Sequence, residues 1–303
     1  MLDILLAYIF LAAGIVSNKY ILASISAEFF VALRMLISGS FLMMYNLHQT
    51  ERLSYRQVKN NHLKLLLIAA CTTLIPSLLK AWSLKHMLAS KQSLLGSIDP
   101  FVTALMVYVL FSEKITRSKM LGMVIGFIGV VVIILSKGSH EPGYELLFRI
   151  SLPELAIICA VIISRYGWIL VQTLLRNKHY TPVQINGLVQ VIAGFLALCL
   201  ATYNNQLKLY AITSYSNFIM AFLCTIIGGN IIGYTLYSYS LKHHSATFVS
   251  LAGFLIPLLV AFFAYIFLGE NISWSLLVGG LIIFMGLSIF YIGEKMPKFF
   301  KKS

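Results

Sequence analysis

Four ionisable side chains, Arg34, Lys80, Asp99 and Arg165, fall inside long apolar stretches of this 303-residue chain. A charge placed at the centre of a hydrocarbon layer costs about 2.5 to 3.5 kcal/mol on insertion scales, so each of the four is a candidate for binding or coupling chemistry. At a rise of about 1.5 Å per residue, Lys80 lies roughly 9 Å and Asp99 roughly 12 Å from the same end of two consecutive antiparallel helices. That shared depth fits a static ion pair, and it equally fits a site where a substrate or a proton takes the place of one partner. Arg34, also roughly 9 Å from its helix end, is within snorkelling reach of an interface. Arg165 lies near mid-membrane, beyond that reach, and reads as a substrate-binding cation with Trp168 just under one turn later.

A second constellation is aromatic. Asn230, Tyr234 and Tyr237 are spaced by four and three residues, so one helical face offers an amide and two hydroxylated rings. Such a face can hold an amphipathic organic molecule by stacking and hydrogen bonding, or it can serve as an aromatic packing face. Gly228, Gly229 and Gly233 thin the same helix and let it bend or pack closely.

The elements that must carry these residues are repeated. Ser83 to Gly129 recurs, without a gap, as Ser240 to Gly286 at an offset of 157 residues, with 18 of 47 positions identical. Gly96/Gly253, Pro100/Pro257, Glu113/Glu270, Gly122/Gly279 and Gly129/Gly286 are among the matched pairs, which argues for a duplicated unit. The offset also aligns Thr73 with Asn230, Ser77 with Tyr234 and Lys80 with Tyr237. Ser93, Gly96, Pro100, Ala104 and Tyr108 share one helical face, and their equivalents repeat it. Gly96, Pro100, Gly253 and Pro257 therefore read either as tight packing with a kink or as a hinge or cavity wall.

Composition supports spans throughout. With 59% hydrophobic and 11% charged residues, the chain departs far from the roughly 25% charged composition of soluble domains. Ten apolar segments of about 20 residues are expected, at roughly 3 to 23, 28 to 47, 63 to 86, 91 to 112, 117 to 136, 152 to 174, 182 to 202, 215 to 241, 244 to 268 and 273 to 293. The predicted fold is an all-α integral membrane protein. Each half holds five spans, an odd number, so the two five-helix repeats are inverted about an axis in the membrane plane, with a site expected between them near the midplane. The expected units are 1–139, an exposed linker over 140–151, and 152–303 with a basic tail.

The net charge of +13 is explained by topology. With a cytoplasmic N-terminus, 14 Lys and Arg fall on the inner side and 6 on the outer, which places both termini in the cytoplasm of a multi-pass cytoplasmic (inner) membrane protein. No nucleic-acid footprint follows from it. Cys71, Cys159, Cys199 and Cys224 show no C-x-x-C spacing, and His86, His243 and His244 sit at loop edges, so no metal and no cofactor is assigned. No nucleophile with a base, carboxylate dyad or phosphate-binding glycine loop is present, and no catalytic residue is named.

The proline of the fourth span, followed by Glu113, Gly122 and Gly129, and its repeat as Pro257, Glu270, Gly279 and Gly286, resembles the EamA type of the drug/metabolite transporter superfamily. That resemblance implies ten spans, two EamA-like halves, cytoplasmic ends and export or uptake of amino acids, amines, nucleotide-derived metabolites or drugs. Glu113 and Glu270 match the family's loop glutamate, placed to favour the N-terminus of the following helix.

The expected activity is alternating-access transport, outward, of a small polar or amphipathic metabolite, foremost an amino acid or related zwitterion. Lys80, Asp99, Arg165, Trp168, Asn230, Tyr234 and Tyr237 are the substrate-binding candidates, and Asp99 or Glu28 offers a carboxyl for proton coupling. The expected partners are a small-molecule substrate, the lipid bilayer, coupling protons or ions, and a monomeric or homodimeric state. One alternative is a carrier of cationic amines or drugs, held by cation–π contacts and Asp99. Another is a non-transporting scaffold or lipid-handling protein, in which Lys80, Asp99 and Arg165 face lipid.

Overall fold

A computed structural model of the chain describes residues 2–49, 53, 55–111, 116–135, 145–146, 150–177, 180–210, 212, 214–244, 246–253, 255–271 and 274–295. Glu113, most of the linker and the basic tail beyond Lys295 lie outside the described residues.

The chain is helical in ten spans. Span one is α1 (Leu2–Leu22) and span two α2 (Ala27–Leu47). Span three joins α3 (Tyr55–Ile68), a π-helical segment (Ala69–Leu74) and α4 (Ile75–His86). Span four is split into α5 (Ala89–Gly96) and α6 (Asp99–Phe111), and span five is α7 (Arg117–Leu135). The second half follows with α8 (Leu152–Arg176) and α9 (Pro182–Tyr203). Its third element is α10 (Tyr215–Leu223), a second π-helical segment (Cys224–Gly233) and α11 (Tyr234–His243). Span nine is α12 (Ala246–Ala252) with α13 (Leu255–Leu268), and span ten is α14 (Trp274–Lys295). Among the described residues the only strands are β1 (Glu145–Leu146) and β2 (Ile150–Ser151), a two-residue antiparallel hairpin in the linker.

Local sequence sets these boundaries. Ser151 and Glu154 form a reciprocal capping box at the start of α8, as Thr181 and Gln184 do at α9, and in both helices a proline in the first turn sits where its missing N–H costs nothing. The helix carrying span three starts at Tyr55, ahead of the expected 63, because the polar run 55–62 continues the helix beyond its apolar part.

Spans four and nine correct the expected kink. Both helices are interrupted, after Gly96 and after Ala252, so Pro100 and Pro257 fall in the first turn of a new helix, where proline is tolerated. The two halves pack as an inverted pair. A Cβ on Gly286 would stand 2.7 Å from the Gly122 carbonyl oxygen, and one on Gly129 would stand 2.8 Å from that of Gly279. The repeat maps Gly122 onto Gly279 and Gly129 onto Gly286, so these two contacts exchange, as a two-fold axis between α7 and α14 requires. Span one packs on spans eight and nine, and span six in turn on spans three and four. Phe41, Val109, Phe127, Phe195 and Phe267 are exposed on the outside, an apolar surface suited to lipid.

Candidate functional site

A cavity of about 180 Å³ lies between the halves. Each of the eleven positions named from sequence lines it: Lys80, Asp99, Arg165, Trp168, Asn230, Tyr234 and Tyr237, with Gly96, Pro100, Gly253 and Pro257 from the split spans. Lys80, Asp99 and Arg165 thus face an internal cavity and not lipid, against the requirement of the scaffold reading.

The ionic arrangement differs from the Lys80–Asp99 pair considered above. Asp99 Oδ1 stands 2.6 Å from Arg165 Nε, an ion-pair contact whose angle falls short of a hydrogen bond. The split of span four explains the choice of partner. The turn at Ser97–Ile98 makes Asp99 the first residue of α6, where the helix dipole favours a negative charge, and α6 packs on α8, which carries Arg165. Lys80 shares the electrostatic field of Asp99 and Arg165, yet no hydrogen bond or ion pair holds its ammonium among the described residues.

Arg165 also donates from Nη1 to the Tyr237 hydroxyl at 2.6 Å, which joins the charged groups to the aromatic ones. Trp168 meets Tyr237 edge-on at 4.7 Å between centroids and lies 6.0 Å from Tyr234, and Tyr8 meets Tyr237 at 6.2 Å. These rings form one side of the cavity, and the Tyr8 hydroxyl is fixed by donation to the Val249 carbonyl. Asn230 is committed largely to packing: its side-chain Nδ2 donates to Ser38 Oγ at 3.2 Å, while its backbone carbonyl accepts from Gln190 Nε2 at 3.2 Å. It therefore ties span eight to spans two and seven while lining the cavity.

Both π-helical segments sit beside this site, and they correspond through the repeat, since residues 69–74 map onto 226–231 within Cys224–Gly233. A π-helical turn widens the backbone and re-aims the side chains that follow, and such turns concentrate at functional sites. Here Ser77 and Lys80 follow one segment, and Tyr234 and Tyr237 the other.

Arg34 is the clearest revision. It does not snorkel: it is only 6% exposed, its guanidinium stacks 5.1 Å from the Phe30 ring centroid, and it lines the cavity. Tyr8 was a weak signal in sequence, although it precedes Arg165 by the repeat offset of 157 and could have been found that way. Ser93 and Ser250, another repeated pair, also line the cavity. Glu270 caps α5 in place of the following helix: its carboxylate accepts from the Ala89 N–H at 2.8 Å, from the Ser90 N–H at 3.1 Å and from Ser90 Oγ at 2.8 Å. Glu28 is half-buried, accepts a hydrogen bond from Asn204 Nδ2 at 3.0 Å and does not line the cavity.

Comparison with known proteins places this geometry. Residues 1–135 and 151–292 match the EamA-like transporter family. An S-adenosylmethionine/S-adenosylhomocysteine transporter of Chlamydia trachomatis serovar L2 is 27% identical over 298 residues, covering 96% of this chain and 90% of that protein. The protein of the same name in Chlamydia muridarum is 26% identical over 292 residues, covering 94% and 91%. Protein PecM of Dickeya dadantii is 26% identical over 199 residues, 65% of this chain and 63% of that one. One crystal structure superposes with a TM-score of 0.70 over 99% of both chains at 14% identity, a likeness of fold alone. With ten spans, two matched halves and a cavity between them, this chain is a member of the EamA-like transporter family.

Proposed function

We propose that the chain is an alternating-access carrier for an amphipathic zwitterion, an amino-acid head group joined to a flat aromatic ring, and that S-adenosylmethionine and S-adenosylhomocysteine are molecules of that class. The observation that supports it is one cavity that joins charged groups, Lys80 with Asp99–Arg165, to a cluster of rings, Tyr8, Trp168, Tyr234 and Tyr237. A purine-sized ring stacks on the aromatic side chains, and a carboxylate finds opposite charge among the cations. The two full-length Chlamydia relatives carry such a substrate in their names.

The cationic-amine alternative is less favoured by the same geometry. Asp99, the counter-charge of that reading, is already paired with Arg165, and of its three rings, Trp168, Tyr234 and Tyr237, the last already has the Arg165 guanidinium 5.8 Å from its centroid.

Purified protein reconstituted in vesicles, supplied with radiolabelled S-adenosylmethionine or S-adenosylhomocysteine on one side, tests the proposal. Saturable flux that competes with unlabelled compound is expected, and loading the inside or the outside tests the outward direction implied by the family resemblance. Flux equal to that of empty vesicles for both compounds, beside saturable flux of a quaternary amine, would move the assignment to the amine class.

A further inference from the structure

Among the described residues the cavity walls carry three cations, Arg34, Lys80 and Arg165, and one anion, Asp99. The single carboxylate is spent on Arg165 at 2.6 Å. Among the described residues Arg34 and Lys80 are therefore left without an ion-pair contact of their own, and Lys80 feels Asp99 only through a field it shares with Arg165. Arg34 is 6% exposed, its Nε has no hydrogen-bond partner, its guanidinium lies over the Phe30 ring, and Tyr234 shares its electrostatic field. Packing of α2 on α4 brings Arg34 and Lys80 into each other's electrostatic field, and both lie in the half of the membrane that bears the α1–α2 turn.

A buried charge without a partner costs several kcal/mol, and two like charges side by side cost more. Packing gives no reason for the pair, because neither cation is tied into the protein by its charged end. Nor does the repeat: the position equivalent to Lys80 is Tyr237, and the residue 157 after Arg34 is Val191. What relieves both charges together is an anion bound between them.

We infer that Arg34 and Lys80 form an anion subsite at one end of the cavity, separate from the Asp99–Arg165 pair, and that it takes the carboxylate of the transported molecule. The inference rests on the proposed substrate class for its ligand, but the subsite itself would serve any carboxylate joined to a ring of suitable size. Arg34 offers a planar fork of donors matched to two carboxylate oxygens, and Lys80 adds a mobile point charge. The aromatic wall then receives the ring, so the carboxylate fixes which end of the molecule goes where.

Binding to purified protein by calorimetry separates the possibilities, with ligands compared in pairs that differ by one carboxylate. The pairs are S-adenosylmethionine against its decarboxylated form, and tryptophan against tryptamine. The unaltered protein is expected to prefer the carboxylate-bearing member at least tenfold. Arg34→Gln and Lys80→Gln should each remove most of that preference, and Arg34→Lys should restore part of it. Equal affinity within both pairs for the unaltered protein, or a preference that survives in Arg34→Gln, would overturn the subsite. A preference confined to the tryptophan pair, lost in Arg34→Gln, would support the subsite and reject the adenosyl substrates. Should Arg34→Gln fail to fold, Lys80→Gln and Arg34→Lys decide the matter by the same criterion.

Discussion

Asp99 and Arg165 meet at 2.6 Å across the contact of spans four and six, while Lys80, on span three, is left facing open space. This pairing determines which charges belong to the protein and which are offered to a ligand. Asp99→Asn and Arg165→Gln should each lower thermal stability in detergent by the equivalent of about 2 kcal/mol, because the remaining partner is left partly buried and uncompensated. The double variant should lose less than the sum of the two. Additive losses in a double-mutant cycle would show that the pair is not coupled.

Trp168 and Tyr237 share a ring contact but carry different loads. Trp168→Ala is expected to weaken binding of an adenosyl ligand about tenfold, the low end of what a base stacked on an aromatic side chain contributes. Tyr237→Phe keeps the ring and loses only the hydroxyl that accepts from Arg165, so its effect on binding should be smaller. Reversal of that order in a titration would place the ligand against Tyr237 and away from Trp168.

Gly286 and Gly96 give a contrast in packing. A Cβ on Gly286 meets the backbone of α7 at 2.5 Å, and one on Gly96 meets nothing within 4 Å. Gly286→Ala should therefore cost about 1 to 3 kcal/mol by forcing α7 and α14 apart. Gly96→Ala should leave the melting temperature within a degree or two, its effect appearing in binding, since the added methyl enters the cavity wall. Melting curves of the two variants side by side check this.

Glu270 accepts three hydrogen bonds at the start of α5. Its replacement by Ala should destabilise the protein by about 2 kcal/mol, more than an ordinary neutral cap, because the acceptor is charged and buried. Glu270→Gln, which keeps an acceptor without the charge, should recover part of the loss in the same melting assay.

The periodicity of apolar residues and the gapless repeat were enough to read the ten spans and the glycine positions where α7 meets α14. The candidate residues could be placed in depth, because rise per residue is constant along a helix. What sequence could not give was azimuth. Arg34 has the right depth to snorkel and turns inward instead, since only packing of α2 on α4 and α9 decides which way it points. The partner of Asp99 was hidden for a related reason: two residues, Ser97 and Ile98, interrupt span four and re-aim everything after them. The π-helical segments at 69–74 and 224–233 have no sequence pattern distinct from that of an α-helix, and they determine where Lys80 and Tyr237 are presented. Glu270 was read against the N-terminus of the helix that follows it, whereas its hydrogen-bond donors Ser90 and Ala89 are 180 and 181 residues away.

The repeat maps Lys80 onto Tyr237 and Arg165 onto Tyr8, so each of these two charges has a ring at its symmetry-related place. A two-fold axis that relates the backbones therefore does not relate the linings. A molecule turned end over end inside the cavity would bring its ring to the cations and its carboxylate to the tyrosines. For a substrate of the proposed class, the cavity therefore offers one seating and not two.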